Sequence, residues 1–434
     1  MVLLFSLFFI LILVFFLVNS FKKGIYITAI NIIVILAIVD VYIPAIMGSI
    51  TGRYYSLPYD RPMDDSEAVN AILIEGFALL LLFIGYYITS IKNKVKDESR
   101  YYIKKKTLFV LFLGSVLFYF LNMYFEIQSM GNLLDFYDSK VNRAYMNTSG
   151  NQTALGSMVY LISEIVGPIR LITLSIVIIN KDQFSFKERA FVYFFTFLVP
   201  VFGLLRGSFA NIFVCIMASY EYISRNKVSR KNLVKKIKYI LIAGVSVFIV
   251  YGGIRSMLSD QNLEGGGSGS SFSENMVETL QGSVGPSLFA IVSSYRYQES
   301  HPLFWGQSYG EMLMFVVPRS ILPNKPKVYG IQTLNIAKGY PEITMDAITM
   351  PGEAIMNFGI LGLLIMLLWG VAFRFIDGFK RYPRMKYYLA ASIFAIASTS
   401  NWMSFTGFFA QTKYMIITYL LLTLVIKKRS YSTK

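Results

Sequence analysis

Glu353 and Asn357 stand four residues apart at the head of an apolar run, a spacing that puts both on one face of a helix. A carboxylate so placed can take the proton of an attacking hydroxyl. Glu353 is the first choice for that base, with His301, Asp346 and Glu311 as alternatives and Asp60 or Asp64 in reserve. The other residues with chemistry in them are cations: Arg206 in the turn Leu205-Arg206-Gly207-Ser208, Arg255 after Gly252-Gly253-Ile254, and Arg143, Arg170, Arg319, Lys325 and Lys327. Guanidinium forks grip phosphate oxygens in pairs, so this set suits a diphosphate headgroup. At an effective dielectric near 20, each cation–anion contact at about 4 Å is worth roughly 4 kcal/mol before desolvation. The chain has one His, one Cys (Cys215) and no Asp-x-Asp pair. Metal-dependent sugar transfer is therefore not favoured, and neither a metal nor a cofactor is expected. Cations would instead stabilise a departing diphosphate, which leaves without needing a proton. Each residue has an ordinary alternative: a first-turn acid favoured by the helix dipole, a surface histidine, an arginine snorkelling to lipid headgroups.

The elements that must position these residues are membrane spans. A 434-residue chain that is 55% hydrophobic and 15% charged has the composition of a polytopic membrane protein. Apolar windows fall near residues 2–18, 25–47, 69–91, 108–127, 154–179, 190–205, 208–223, 239–254, 354–376, 388–402 and 408–426, which is about eleven spans. The formal charge of +16 does not point to nucleic acid, because the excess lies in alternate loops. Lys22–Lys23, the stretches 92–106, 181–189, 225–238 and 380–386, and the tail from Lys427 are all net positive and read as cytoplasmic. The segments between them are together slightly acidic and read as outside, which puts the N-terminus out and the C-terminus in. The first apolar run lacks a small-residue cleavage site and reads as a retained span.

The chain divides into an N-terminal set of spans (residues 1–254, about eight), a large outer loop (255–353) and a C-terminal set (354–434, about three). Gly265–Ser271 in the loop reads as a flexible hinge. After it, helical patterns run from Pro286 through Tyr297, over Ser308–Val317 and over Ile331–Lys338, short helices that would roof a cavity. Ionisable residues inside spans, namely Asp40, Glu75, Glu126, Glu164, Arg170 and Lys413, are functional candidates or interhelical pairs.

One family resemblance rests on Phe304-Trp305-Gly306-Gln307-Ser308-Tyr309, then Val317-Pro318-Arg319 with Pro323, Lys325 and Pro326, then Gly352-Glu353, Asn357-Phe358-Gly359 and Gly362. In order and spacing this stretch resembles the Wzy-type polymerases of O-antigen and capsular repeat units. The resemblance implies an all-α glycosyltransferase of GT-C-like architecture, related to the O-antigen ligases. It implies a metal-independent transfer of glycan from undecaprenyl diphosphate at the outer face of a bacterial inner membrane, and the transfer is expected to be a single displacement that inverts the anomeric centre. It also implies partners: undecaprenyl-diphosphate-linked glycans, membrane lipid, a chain-length regulator and a flippase. Arginines proposed to grip the diphosphate map most naturally onto Arg206 and Arg255, then Arg319. An Arg-x10-Gly pattern of some members fits Arg255 with Gly266 but neither Arg143 nor Arg206. The rival readings are an O-antigen ligase-type transferase that relies on a loop histidine, and a lipid-linked oligosaccharide flippase or transporter. No repeat or inverted hydropathy symmetry supports the last of these.

Overall fold

The computed structural model describes residues 1–22, 28–54, 61–89, 101–133, 136, 154–202, 206–226, 239, 286–315, 331–339, 348–378, 416 and 419–428. Nearly all of these are helical. Five helical stretches among them are long and apolar enough to cross a membrane: Val2–Lys22, Ala29–Thr51, Asp65–Ile88, Lys105–Met130 and Ile360–Gly378. The described chain is thus mostly helical, with several membrane-length helices, as an all-α membrane protein would be.

Helix α1 (Val2–Lys22) is an almost unbroken apolar run that exposes most of its surface, as a lipid-facing helix does. The second stretch has three parts: α2 (Ala29–Ala37), a π-helical turn (Ile38–Tyr42) that contains Asp40, and α3 (Ile43–Thr51). Helix α4 (Asp65–Ile88) begins in a capping box. There the Asp64 carboxylate accepts from the Glu67 amide at 2.9 Å, and Glu67 Oε2 accepts from the Asp64 amide at 3.1 Å. Strand β1 (Tyr101–Ile103) precedes α5 (Lys105–Met130). Helices α6 (Ala154–Val166) and α7 (Pro168–Ile179) divide the run 154–179, expected as one span. The break falls at Gly167-Pro168, where proline removes an amide donor and starts a new first turn. Helices α8 (Phe186–Phe202) and α9 (Arg206–Asn226) follow.

The expected loop helices are present as α10 (Pro286–Ser300), α11 (Gln307–Phe315) and α12 (Ile331–Ala337). The run 354–376, also expected as one span, is split. Helix α13 (Met350–Phe358) stops at Gly359, whose φ of 66° and ψ of −162° suit only glycine, and a 3-10 turn (Ile360–Leu364) leads into α14 (Ile365–Gly378). Residues 419–425 are helical and end in strand β2 (Ile426–Lys428), which pairs antiparallel with β1.

Two large apolar cores hold most of these elements together, with smaller clusters around Leu174 and Ile212 and around Leu334 and Met356. One gathers α1 to α4, α10, α13 and α14; the other gathers β1, α5, α7, α8, α9 and residues 422–426. Phe21 and Ile32 pack against both. In the first core α4 and α14 run the same way and meet through glycines. A Cβ on Gly85 would lie 2.0 Å from the Leu367 carbonyl oxygen, and one on Gly370 would lie 2.2 Å from that of Leu82. Small residues at such a crossing let two membrane helices pack backbone to backbone. Farther along the same pair, Asp377 accepts from the Tyr86 hydroxyl at 2.8 Å and from the Ala29 amide at 3.1 Å, so one carboxylate ties the ends of α14 and α4 to the start of α2.

Candidate functional site

The site is built on α13. Thr349 caps its first turn by accepting from the Gly352 amide at 3.1 Å, and Pro351 lies in that turn. Gly352 faces α10, where a Cβ would lie 2.8 Å from Ser294 Oγ, so the two helices approach closely and cover the next residue. That residue is Glu353, which is fully buried. A buried carboxylate needs hydrogen bonds. Ser308 Oγ, at the head of α11, donates to Glu353 Oε1 at 2.9 Å.

Asn357 organises the rest. Its Nδ2 donates to Ser308 Oγ and to the Glu353 carbonyl, both at 2.8 Å. Its Oδ1 accepts from the Gly306 amide at 3.0 Å and its carbonyl from the Trp305 amide at 2.8 Å. The Phe304 amide donates to the Met356 carbonyl at 3.1 Å. Residues 304–308 are thereby laid along α13 as an irregular strap, and Ser308 joins two groups on a helix 45 and 49 residues farther on. Burial, and after it the Glu353 charge, pushes the neighbouring Tyr309 phenol well above its usual range. Tyr309 also packs against Phe358, with ring centroids 6.0 Å apart.

A second buried carboxylate lies on α11 itself. Glu311 Oε1 accepts from Gln307 Nε2 at 2.8 Å and Oε2 from Thr333 Oγ1 at 2.6 Å, which fastens α12 to α11. Ser308 and Glu311 are three residues apart on α11, so both carboxylates are served by one face of that helix. Lys338 Nζ donates to Ser293 Oγ on α10 at 3.0 Å. Farther along α10, Arg296 holds Glu67 through Nε at 2.8 Å and Nη2 at 2.6 Å, and donates to the carbonyls of Arg61 and Pro62. The loop helix is thus clamped to the start of α4.

Of the predicted residues, Glu353 and its helical neighbour Asn357 lie together, joined through Ser308. His301 is exposed at the end of α10. Its ring stacks on Tyr297 at 4.4 Å, with Nδ1 2.8 Å from Ser300 Oγ, and Tyr297 in turn stacks on Phe304 of the strap. Arg170 lies half-buried on α7, its guanidinium 4.9 Å from the Tyr119 ring of α5. This is a cation–π contact beside the second core, whereas Glu353 sits beside the first. Arg206 opens α9, but its side chain is outside the described residues, as are Arg143, Arg255, Arg319, Lys325, Lys327 and Asp346. Among the ionisable span residues, Glu126 accepts from Asn122 Nδ2 at 2.9 Å and Glu75 is fully buried; Lys413 and the Glu164 side chain are not described. Among the described residues no group of three or more His, Cys, Asp or Glu could hold a metal ion.

Sequence reasoning assigned no role to Ser308, Arg296, Thr333 or Lys338. Ser308 lay inside the resemblance motif, and Ser293, Arg296, Tyr297 and Ser300 recur at helical spacing along α10. These were the available signals. No family model matches the chain, and comparison with curated proteins and with solved structures finds no significant match.

Proposed function

We propose that the chain is a Wzy-type glycosyltransferase, which polymerises undecaprenyl-diphosphate-linked repeat units at the outer face of a bacterial inner membrane. In this reading it has about eleven spans and a GT-C-like architecture, with its N-terminus outside and C-terminus in the cytoplasm. The observation that carries the proposal is the meeting of the two ends of the sequence motif. Residues 304–308 and 353–357, far apart in the chain, close around one buried carboxylate.

Chemically, the acceptor hydroxyl of one repeat unit gives up its proton toward Glu353, with Ser308 Oγ as the group through which the proton reaches the carboxylate. The acceptor oxygen then bonds to the anomeric carbon of the donor glycan, and the bond from that carbon to the phosphate oxygen breaks. Undecaprenyl diphosphate leaves as an anion, with Arg206, Arg255 and Arg319 proposed as its principal grips and Arg143, Arg170, Lys325 and Lys327 as further cations.

Purified protein incubated with a synthetic undecaprenyl-diphosphate repeat unit, without nucleotide sugar, should release undecaprenyl diphosphate and build a ladder of longer glycans. Glu353→Gln keeps the shape and the Ser308 contact but removes the base, and should slow the ladder about 10²- to 10⁴-fold. A full-rate Glu353→Gln enzyme would refute the assignment. Arg206→Ala and Arg255→Ala variants that still make full-length polymer would remove the proposed diphosphate grip.

A ligase-type transferase is the second reading, because His301 is joined to the strap through Tyr297. Loss of activity in His301→Ala favours the ligase-type reading, and full activity favours the polymerase.

A further inference from the structure

Among the described residues, Trp305 is the non-glycine residue with a positive φ, 50°, and it is followed by Gly306 at 86°. A bulky side chain in that region is strained and persists only where the surroundings over-determine the turn. Here they do. The amides of Phe304, Trp305 and Gly306 are each bonded to Met356 or Asn357 of α13, and Phe358 packs 3.2 Å from where a Gly306 Cβ would stand. Yet the side chain so expensively placed is left 76% exposed, so burial of the indole is not what the strain secures. The same Asn357 that holds the turn also binds Ser308 Oγ, which binds Glu353. Five hydrogen bonds therefore fix the backbone that carries this exposed indole in register with the buried carboxylate. Exposed His301 and Gln307 lie within four residues of it in the chain.

We propose that the Trp305 indole is a stacking platform for a pyranose ring of the glycan, the subsite that positions sugar beside Glu353. The proposal rests on the glycosyltransferase reading for the identity of the ligand. Indole presents a flat, weakly negative face, to which the C–H face of a pyranose is complementary. Registration with α13 favours sugar over lipid, since a tryptophan that merely marks the membrane interface needs an amphipathic ring at headgroup level and no bond to a catalytic helix.

The test uses full-length protein in lipid nanodiscs. The probe is the free repeat oligosaccharide, released by mild acid from the lipid-linked pool of cells that lack this protein. Binding is followed by saturation-transfer NMR and titration calorimetry for wild type, Trp305→Phe and Trp305→Gly. Glycine adopts the positive φ without strain, so Trp305→Gly keeps the turn and removes only the ring. The expected result is transfer to pyranose ring protons in wild type, binding within about threefold for Trp305→Phe, and about tenfold or greater weakening for Trp305→Gly, with thermal stability kept in both. Equal binding by Trp305→Gly and wild type overturns the proposal. So does strong quenching of the Trp305 fluorescence by brominated lipids, in protein carrying Trp369→Phe and Trp402→Phe, together with no response to the oligosaccharide. A wild type that polymerises while Trp305→Gly binds and polymerises equally well sinks the platform and leaves the enzyme. A wild type that binds through Trp305 without polymerising sinks the polymerase and leaves the platform. A wild type that does neither sinks both.

Discussion

Replacing Arg296 by Met should loosen the tie between the far end of α10 and the start of α4 at a calculable cost. Both side chains of the Arg296–Glu67 pair are nearly buried, at 12% and 11% exposure, and two of the contacts are 2.6 and 2.8 Å. Breaking a buried ion pair by removing one partner costs about 3–5 kcal/mol, because the remaining charge is stranded. Glu67 is not wholly stranded here. It keeps Arg61 Nη2 at 2.6 Å and the Asp64 amide at 3.1 Å, though the Arg61 side chain is 63% exposed and that pair is worth at most about 1 kcal/mol. Arg296→Met should therefore cost about 3 kcal/mol, at the low end of the range for a buried pair. Because the carbonyls of Arg61 and Pro62 lose their donors as well, Glu67→Gln should cost less than Arg296→Met. The assay is a double-mutant cycle on purified protein in detergent, scored by equilibrium unfolding and by hydrogen exchange of peptides covering 286–300. The pair should show a coupling of about 1–3 kcal/mol, with α10 amides exchanging faster in both single variants. Additive effects, or exchange in α10 that does not change, would refute the clamp.

Two further outcomes follow from the same geometry. Gly85→Ala and Gly370→Ala each push a methyl into a backbone carbonyl that cannot yield, so each should destabilise by about 1–3 kcal/mol in detergent melts. Gly114→Ala, with nothing within 4 Å of the new Cβ, should be neutral or gain about 0.5–1 kcal/mol from helix propensity, a control that separates crowding from composition. At the start of α4, the Ser66 hydroxyl, then the Glu67 amide, hold the Asp64 carboxyl below the usual carboxylate range. Its folded pKa is depressed, so its contribution is complete above the unfolded value near 3.9 and is lost as pH falls through the lower folded value. Asp64→Asn keeps the cap and should flatten the stability profile below about pH 4, which melts across pH 5 to 3 would reveal.

Much of the helical layout was legible in the sequence because hydropathy reads continuous burial or lipid exposure directly. The α1 run and the three loop helices were found within a few residues. What hydropathy misses is where an apolar run breaks. Leucine and isoleucine continue on both sides of Gly359 and of Gly167-Pro168, so average apolarity stays high although the backbone turns at the first and proline interrupts the helical hydrogen bonds at the second. At the site, Glu353 and Asn357 were readable from their four-residue spacing, a local property. Ser308 was not, because its role depends on a strap folding back across 45 residues, and Arg296 was not, because its partner Glu67 lies 229 residues away. The strain at Trp305 leaves no trace in residue types, since any sequence containing Trp-Gly could as easily place tryptophan in an ordinary turn.

Contacts at the two ends of α4 connect the site to the direction it would face. At 24 residues α4 is about 36 Å long, enough to separate two membrane surfaces. Its first turn carries Glu67, which Arg296 binds, so the loop helices around Glu353 belong to that end. Its last turns meet Asp377 and Arg374 of α14 and, through Asp377, the start of α2. In the second core, β1 pairs with β2 and Lys105 lies 3.8 Å from Glu188, which joins three of the lysine-rich segments to one another. Segments that charge bias assigns to one side are thus found in contact with each other, and none of these contacts crosses between the two groups. Taken with the preference of lysine and arginine for the cytoplasmic side, the grouping supports placing Glu353 and Trp305 outside, where lipid-linked sugar would be met. Cysteine labelling gives the decisive reading: Trp305→Cys should react with a membrane-impermeant maleimide added to intact spheroplasts, and Lys428→Cys only after the membrane is opened. The reverse pattern would turn the site toward the cytoplasm and end the proposed reaction.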